Sequence, residues 1–121
     1  MAWIYRQSTG EMFHNDNLIG VGYSGSTVGK NDPDKQNLKD VGPIPRGVYT
    51  LDPAYHDEHR GDVTMSLHPD RGNEMYGRGG FLIHGDSISS PGTASTGCII
   101  LSLPFRNLLA RSSDRVLVVV S

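Results

Sequence analysis

Fourteen positions separate His84 from Cys98, the one cysteine of the chain, and the stretch that joins them, "HGDSISSPGTASTGC", is built almost entirely from small residues. A thiol attacks a carbonyl as the thiolate, and a free cysteine is only slightly ionised near neutrality. A histidine beside it can take the proton or stabilise the thiolate as a cation, and either arrangement makes a nucleophile for acyl transfer. Gly97 leaves room for backbone N–H groups to face a developing oxyanion; the N–H of Cys98, with Gly97 or Thr96 beside it, is the candidate hole. The imidazole could be oriented by the Asp86 carboxylate through its second nitrogen. Ser95 is expected to bond local backbone and shape the turn before the cysteine.

Residue type alone argues the other way, because a solitary cysteine in a β-rich chain is usually a small buried hydrophobe. Position therefore decides. "GGFLIHG" and "GCIILSL" are short, apolar and bounded by glycines, which reads as two core strands. His84 ends the first and Cys98 begins the second, so pairing of these strands would bring both side chains to one rim.

The remaining elements form the frame that must hold that rim. "AWIYRQ" and "EMFHND" flank Ser8, Thr9 and Gly10 as a hairpin, and "NLIGVGYSG" extends it with a third strand. Residues 26–46 are polar and aperiodic, a long loop that ends in "GPIPRGVYTL" and a strand over 48–51. In "DVTMSLHP", Val63, Met65 and Leu67 alternate with Thr64, Ser66 and His68, the pattern of a half-buried strand. Pro104, Phe105, Leu108 and Leu109 predict one short helix, and "RVLVVVS" reads as a buried strand. Trp3, Tyr5, Phe13 and Tyr23 are expected in core or sheet packing, and the loops 26–46 and 53–61 are candidate lids.

Fifteen glycines and seven prolines in 121 residues favour short strands over helices, in a chain long enough for one core. The expectation is a single mainly β domain over 1–121. Eleven basic against thirteen acidic residues, with no basic block, exclude a nucleic-acid partner. No apolar run approaches the length of a membrane span, so no membrane insertion is expected. "MAWIYRQSTGEMF" lacks an apolar signal segment, which predicts synthesis in the cytoplasm without a signal peptide. His56, Asp57, Glu58 and His59, with His68 and Asp70, match no zinc spacing, so no metal and no cofactor are expected. "GNEMYGRGG" lacks the lysine and helix of a phosphate cradle and reads as a loop near the rim, where Tyr76 and Arg78 would meet substrate.

"IHG" followed after a loop by "S-x-G-C-I" resembles the signature of the L,D-transpeptidase (YkuD-type) cysteine enzymes. More closely, "GPIPRGVYTL", "GRGGFLIHGD" and "ASTGCIIL" in that order, with the N-terminal "W.Y.QSTGEM", are similar to the Tlde1-like group of small type VI secretion effectors, over nearly the whole chain. Two positions depart from the broader pattern: Thr96 stands where a histidine is usual, and Ile100 where an arginine is usual. Arg78, Arg46 or Arg106 could supply the missing cation. The resemblance implies an L,D-transpeptidase-like β-sandwich with one short helix, Cys98 as nucleophile and His84 as base, with a main-chain carbonyl at Gly85 or Asp86 as the alternative to the Asp86 carboxylate for orienting the imidazole. It implies a peptidoglycan tetrapeptide stem as substrate, attacked at the carbonyl of the third residue, with L,D-carboxypeptidase activity toward water and exchange toward D-amino acids. It also implies an antibacterial toxin delivered by a secretion-system component into the periplasm of target bacteria, and a cognate immunity protein. A second reading has Cys98 merely buried, in a catalytically silent cell-wall-binding module or a structural part of a secretion or phage particle.

Overall fold

A computed structural model of the chain describes residues 2–121. Ten short strands and one helix follow each other as β1 (Trp3–Arg6), β2 (Glu11–His14), β3 (Asn17–Val21), β4 (Tyr23–Ser24), β5 (Gly47–Leu51), β6 (Tyr55–Asp57), β7 (Gly61–Pro69), β8 (Leu82–His84), β9 (Ile99–Ile100), α1 (Leu103–Arg111) and β10 (Val116–Val120). The architecture is mainly β with one short helix, as the composition requires. The two faces expected of a sandwich belong to one continuous sheet in the order β3-β2-β1-β10-β5-β7-β8-β9-β4, with β6 added to β7.

The end strands of that path, β3 and β4, are separated in the chain by Gly22 alone, so the sheet curls until it is nearly closed. Closure needs a backbone without side chains at the crossing. The Gly22 N–H donates to the Gly10 carbonyl at 2.8 Å, and a Cβ on Gly22 would overlap the Ile100 carbonyl oxygen across the seam. Gly10 turns the β1–β2 hairpin with φ of 75°, a conformation that favours glycine, and a Cβ there would overlap the Gly22 carbonyl.

One apolar cluster fills the interior: Trp3, Tyr5, Met12, Tyr49, Met65, Ile83, Ile99 and Leu117 are among its members, drawn from strands all along the path. The helix closes one side through Leu109, which is buried, and Phe105, whose ring lies where a side chain on Gly20 would otherwise stand. Leu108, expected on the packed face, is exposed; the buried neighbour of Leu109 is Arg106. Its Nε donates to the Leu101 carbonyl at 3.0 Å and its Nη1 to that of Asp62, so the guanidinium ties the start of the helix to the start of β7.

Three other expectations change. Strand β10 is buried on one face only: Leu117 and Val119 are in the core while Val116 is exposed, because the curled sheet has an outside and strand side chains alternate. In β7, Thr64 is buried and Val63 only partly so, because Val63 has φ of 56° and breaks the alternation there. Residues 26–46 are not a free lid. They hold two short 3-10 turns, Thr27–Gly29 and Pro33–Lys35, and bury Gln36 and residues 42–45.

Gly22→Ala should therefore strain the seam. We expect a loss of about 1–3 kcal/mol, or a fall of roughly 5–10 °C in Tm. Val28→Ala, at an exposed side chain in the long loop, should leave Tm unchanged in the same thermal melts.

Candidate active site

Strands β8 and β9 pair in parallel, with Ile83 opposite Ile99 and His84 opposite Ile100. Parallel neighbours cannot be joined by a tight turn; the chain must travel back outside the sheet, which takes about a dozen residues. The stretch 85–97 is that return path, and it explains the spacing of the histidine and cysteine. Ile83 and Ile99 point into the core, so His84, Ile100 and Cys98 lie on the opposite face. His84, at the end of β8, and Cys98, just before β9, thus stand diagonally from each other on one face.

The turn before the thiol is fixed by hydroxyls. Ser95 Oγ donates to the Cys98 carbonyl at 2.6 Å and accepts the N–H groups of Gly97 (3.0 Å) and Gly25 (2.9 Å). Ser24 Oγ donates to the Gly97 carbonyl at 2.8 Å. Gly97 has φ of 145°, and a Cβ on it would meet Arg78 Nη2 at 2.7 Å and the Phe81 ring at 2.8 Å, so the position admits only glycine. Its N–H, engaged by Ser95, is not directed at an oxyanion. Of the expected donors, those of Cys98 and Thr96 remain.

Cys98 is partly buried, and burial pushes its thiol up; the Leu82 backbone N–H, then Arg60 and Arg78, pull it partly back. Burial pushes the His84 imidazole down, opposed by its bond to the Gly85 carbonyl and reinforced by Arg60 and Arg106. At neutral pH the free protein therefore holds a thiol and a neutral imidazole. Of the two roles open to the histidine, proton acceptor is the one this state offers. His84 Nδ1 lies 2.8 Å from the Gly85 carbonyl, which fixes the tautomer with its proton on Nδ1 and leaves Nε2 as the base. Among the described residues no hydrogen bond joins imidazole and thiol.

Asp86 does not orient His84. Its carboxylate accepts the Tyr23 hydroxyl at 2.6 Å and the N–H groups of Ser87 (2.8 Å) and Gly92, folding the return loop on itself. Tyr23, expected in sheet packing, is thus part of this anchor; its oxygen also accepts the Ala94 N–H, and Lys30 sits over its ring.

Two hollows flank the dyad. The one beside Cys98, about 240 Å³, is lined by Lys39, Asp40, Gly77, Arg78, Gly79, Gly80, Phe81, Thr96 and Gly97. Arg78 forms its buried wall rather than a free cation: Nη1 donates to the Gln36 (2.5 Å) and Pro43 (2.8 Å) carbonyls, and Nη2 to those of Gly42 (3.0 Å) and Thr96 (3.3 Å). Tyr76 is exposed and outside the lining, its hydroxyl accepting from Gln36 Nε2 at 3.3 Å. Arg46 lines neither hollow, and Arg106 is the buried tie described above.

The second hollow, about 670 Å³, opens at His84 and is walled by the return loop (Gly85 to Ser89, Ala94) and by residues 58–61. β7 runs antiparallel to β8, Met65 opposite Ile83, so the β6–β7 turn projects past the His84 end of β8. Arg60 sits on that turn, and it acts electrostatically on both His84 and Cys98. Sequence reasoning missed it. "DEHRG" is legible as a turn, but nothing local says which strand end it overhangs. The histidines around it are engaged separately, His56 with Asp62 and His68 with Asp52, each at 2.5 Å. Among the described residues no group of three or more His, Cys, Asp or Glu is gathered for a metal ion.

With that geometry in hand, comparison with known families is informative. The family model described as the Tlde1 domain matches residues 20–120. No curated protein and no solved structure matches the chain. Among the described residues, no helix is long and apolar enough to cross a membrane.

Two measurements test the site. Iodoacetamide labelling of Cys98 should be slow at pH 7 and rise about tenfold per pH unit toward the elevated thiol value, because the thiolate is the reacting species. A flat rate from pH 5 to 8 would instead reveal a preformed thiolate–imidazolium pair. Arg78→Gln, which cannot reach four carbonyls, should cost about 2–4 kcal/mol in denaturant melts.

Proposed function

The chain belongs to the Tlde1-domain family, a family of type VI secretion effectors, and from that premise we propose that it is a cysteine acyl-transferase acting on peptidoglycan tetrapeptide stems in the periplasm of target bacteria. The observation that carries this reading is the parallel β8–β9 register, which sets His84 and Cys98 on one face with the imidazole held by the Gly85 carbonyl.

In the proposed reaction His84 Nε2 takes the Cys98 proton as the sulfur adds to the carbonyl of the third stem residue, meso-diaminopimelate in Gram-negative walls. The N–H groups of Cys98 and Thr96 are the remaining candidates to bind the oxyanion. The C–N bond to terminal D-Ala then breaks, the proton passes from His84 to the leaving nitrogen, and a thioester remains on Cys98. Water attacks the thioester to give a tripeptide, which is L,D-carboxypeptidase activity; a D-amino acid attacks to give exchange. Both routes return the proton to the thiol. A neutral imidazole in the resting state suits this cycle, since it can accept a proton from the first step and surrender it within the same complex. As an antibacterial toxin the protein would require a delivery component and, in its producer, an immunity protein that blocks the site.

The test is incubation of the purified protein with disaccharide tetrapeptide, read by mass spectrometry for loss of D-Ala or replacement by D-Met. Cys98→Ala should abolish both products, and His84→Ala should lower their rate by about 10²- to 10⁴-fold. Equal product from Cys98→Ala would refute the mechanism. A silent module with a buried cysteine predicts no product from the wild-type protein either.

A further inference from the structure

The two hollows differ in what they offer a substrate. His84 must hand its proton to the leaving nitrogen, so the amine half of the scissile bond has to enter the larger hollow, which His84 lines; the acyl half is left for the smaller one beside Cys98. The larger hollow contains one arginine whose head group is available. Arg78 and Arg106 are buried and donate to backbone carbonyls, whereas the Arg60 side chain is 45% exposed and only loosely paired, Nη1 lying 3.6 Å from Asp57 Oδ2. Asp57 also accepts the N–H groups of His59 and Arg60 at 2.9 Å each, which fixes the turn and aims Arg60 from a rigid base. Two carboxylates line the hollow with Arg60: Asp86, across it, is already engaged by Tyr23, Ser87 and Gly92, and Glu58, exposed on the same turn, forms no ion pair with Arg60 among the described residues.

An arginine fork in the amine-side hollow matches a planar carboxylate. In a peptide cleaved at its last bond, the free α-carboxylate is attached to the carbon next to the leaving nitrogen. We propose that Arg60 binds the α-carboxylate of the terminal amino acid, both as it leaves and when a free amino acid enters as acceptor. The protein is then an exo-acting enzyme that selects chains ending in a free carboxylate, and its acceptors are amino acids rather than simple amines. This rests on the acyl-transfer reading above. The same cation also favours the neutral imidazole and the thiolate, so its partial neutralisation by a bound carboxylate would couple substrate occupancy to the proton balance of the dyad.

The experiment compares kcat/KM for a tetrapeptide ending in D-Ala with the same peptide ending in D-alaninamide, using wild type, Arg60→Gln and Arg60→Lys. The wild-type protein should prefer the free acid by roughly 10- to 100-fold. Arg60→Gln should lose that preference, mainly through KM on the acid, because any loss it causes through the dyad falls on both peptides while the loss of carboxylate binding falls on the acid alone; Arg60→Lys should recover part of it. Equal losses on acid and amide, or a wild-type protein indifferent to the terminal charge, overturn the role of Arg60. Absence of product from both peptides with wild type overturns the acyl-transfer reading itself, a result distinguishable from the other two.

Discussion

The site depends on one backbone constraint, the parallel pairing of β8 with β9. Had these strands formed a hairpin, a few residues would have joined them and the histidine and cysteine would have been close in sequence. Because they run in the same direction, the chain has to leave the sheet after His84 and re-enter before Cys98. The return loop built for that purpose becomes a wall of the larger hollow. Its form is not left to chance: the Asp86 carboxylate, the Tyr23 hydroxyl and the Lys30 ammonium, which donates to the Gly92 carbonyl at 2.6 Å, pin it in several places.

A second constraint keeps the turn before Cys98 in register with the rest of the molecule. Arg78 carries a full positive charge on a buried side chain, and such a charge is tolerated only when its donors are matched. Four backbone carbonyls, three from the segment 26–46 and one from the return loop, supply the match, and Phe81 lies against the guanidinium, its ring centroid 5.2 Å away. The long polar segment 26–46 therefore becomes a fixed wall, and Gly97 has to lack a side chain because the guanidinium and the Phe81 ring occupy the space where one would stand. The same burial raises the thiol and lowers the imidazole, so the resting dyad is uncharged. A resting thiol is less exposed to alkylation and oxidation than a standing thiolate.

The three arginines near the site illustrate how one residue type divides its work. Arg78 and Arg106 are buried and organise backbone, Arg78 at the turn before Cys98 and Arg106 beneath Gly85 at the His84 end. Arg60 alone keeps an open face. Of the two positions where the chain departs from the broader transpeptidase pattern, Ile100 is buried beside His84 in the β8–β9 register, so no cation could be supplied from there without burying an unmatched charge.

The sequence by itself singled out His84 and Cys98 as candidates and determined the short strands beside them, the hairpin of β1 and β2 and the helix near the C-terminus, because periodicity, glycine placement and thiol chemistry are properties of neighbouring residues. The tertiary structure decided the parallel direction of β8 and β9, the burial of β10 on one face only, the choice of the Gly85 carbonyl over Asp86 as partner of His84, and the different tasks of Arg60, Arg78 and Arg106. Each of these depends on which distant carbonyl or strand edge a group finds when the sheet curls. Strand periodicity places side chains on alternate faces but says nothing about what lies opposite. A guanidinium near a cysteine in sequence is therefore indistinguishable from one near it in space until Gln36, Gly42, Pro43 and Thr96 are seen to surround the first and open space the second.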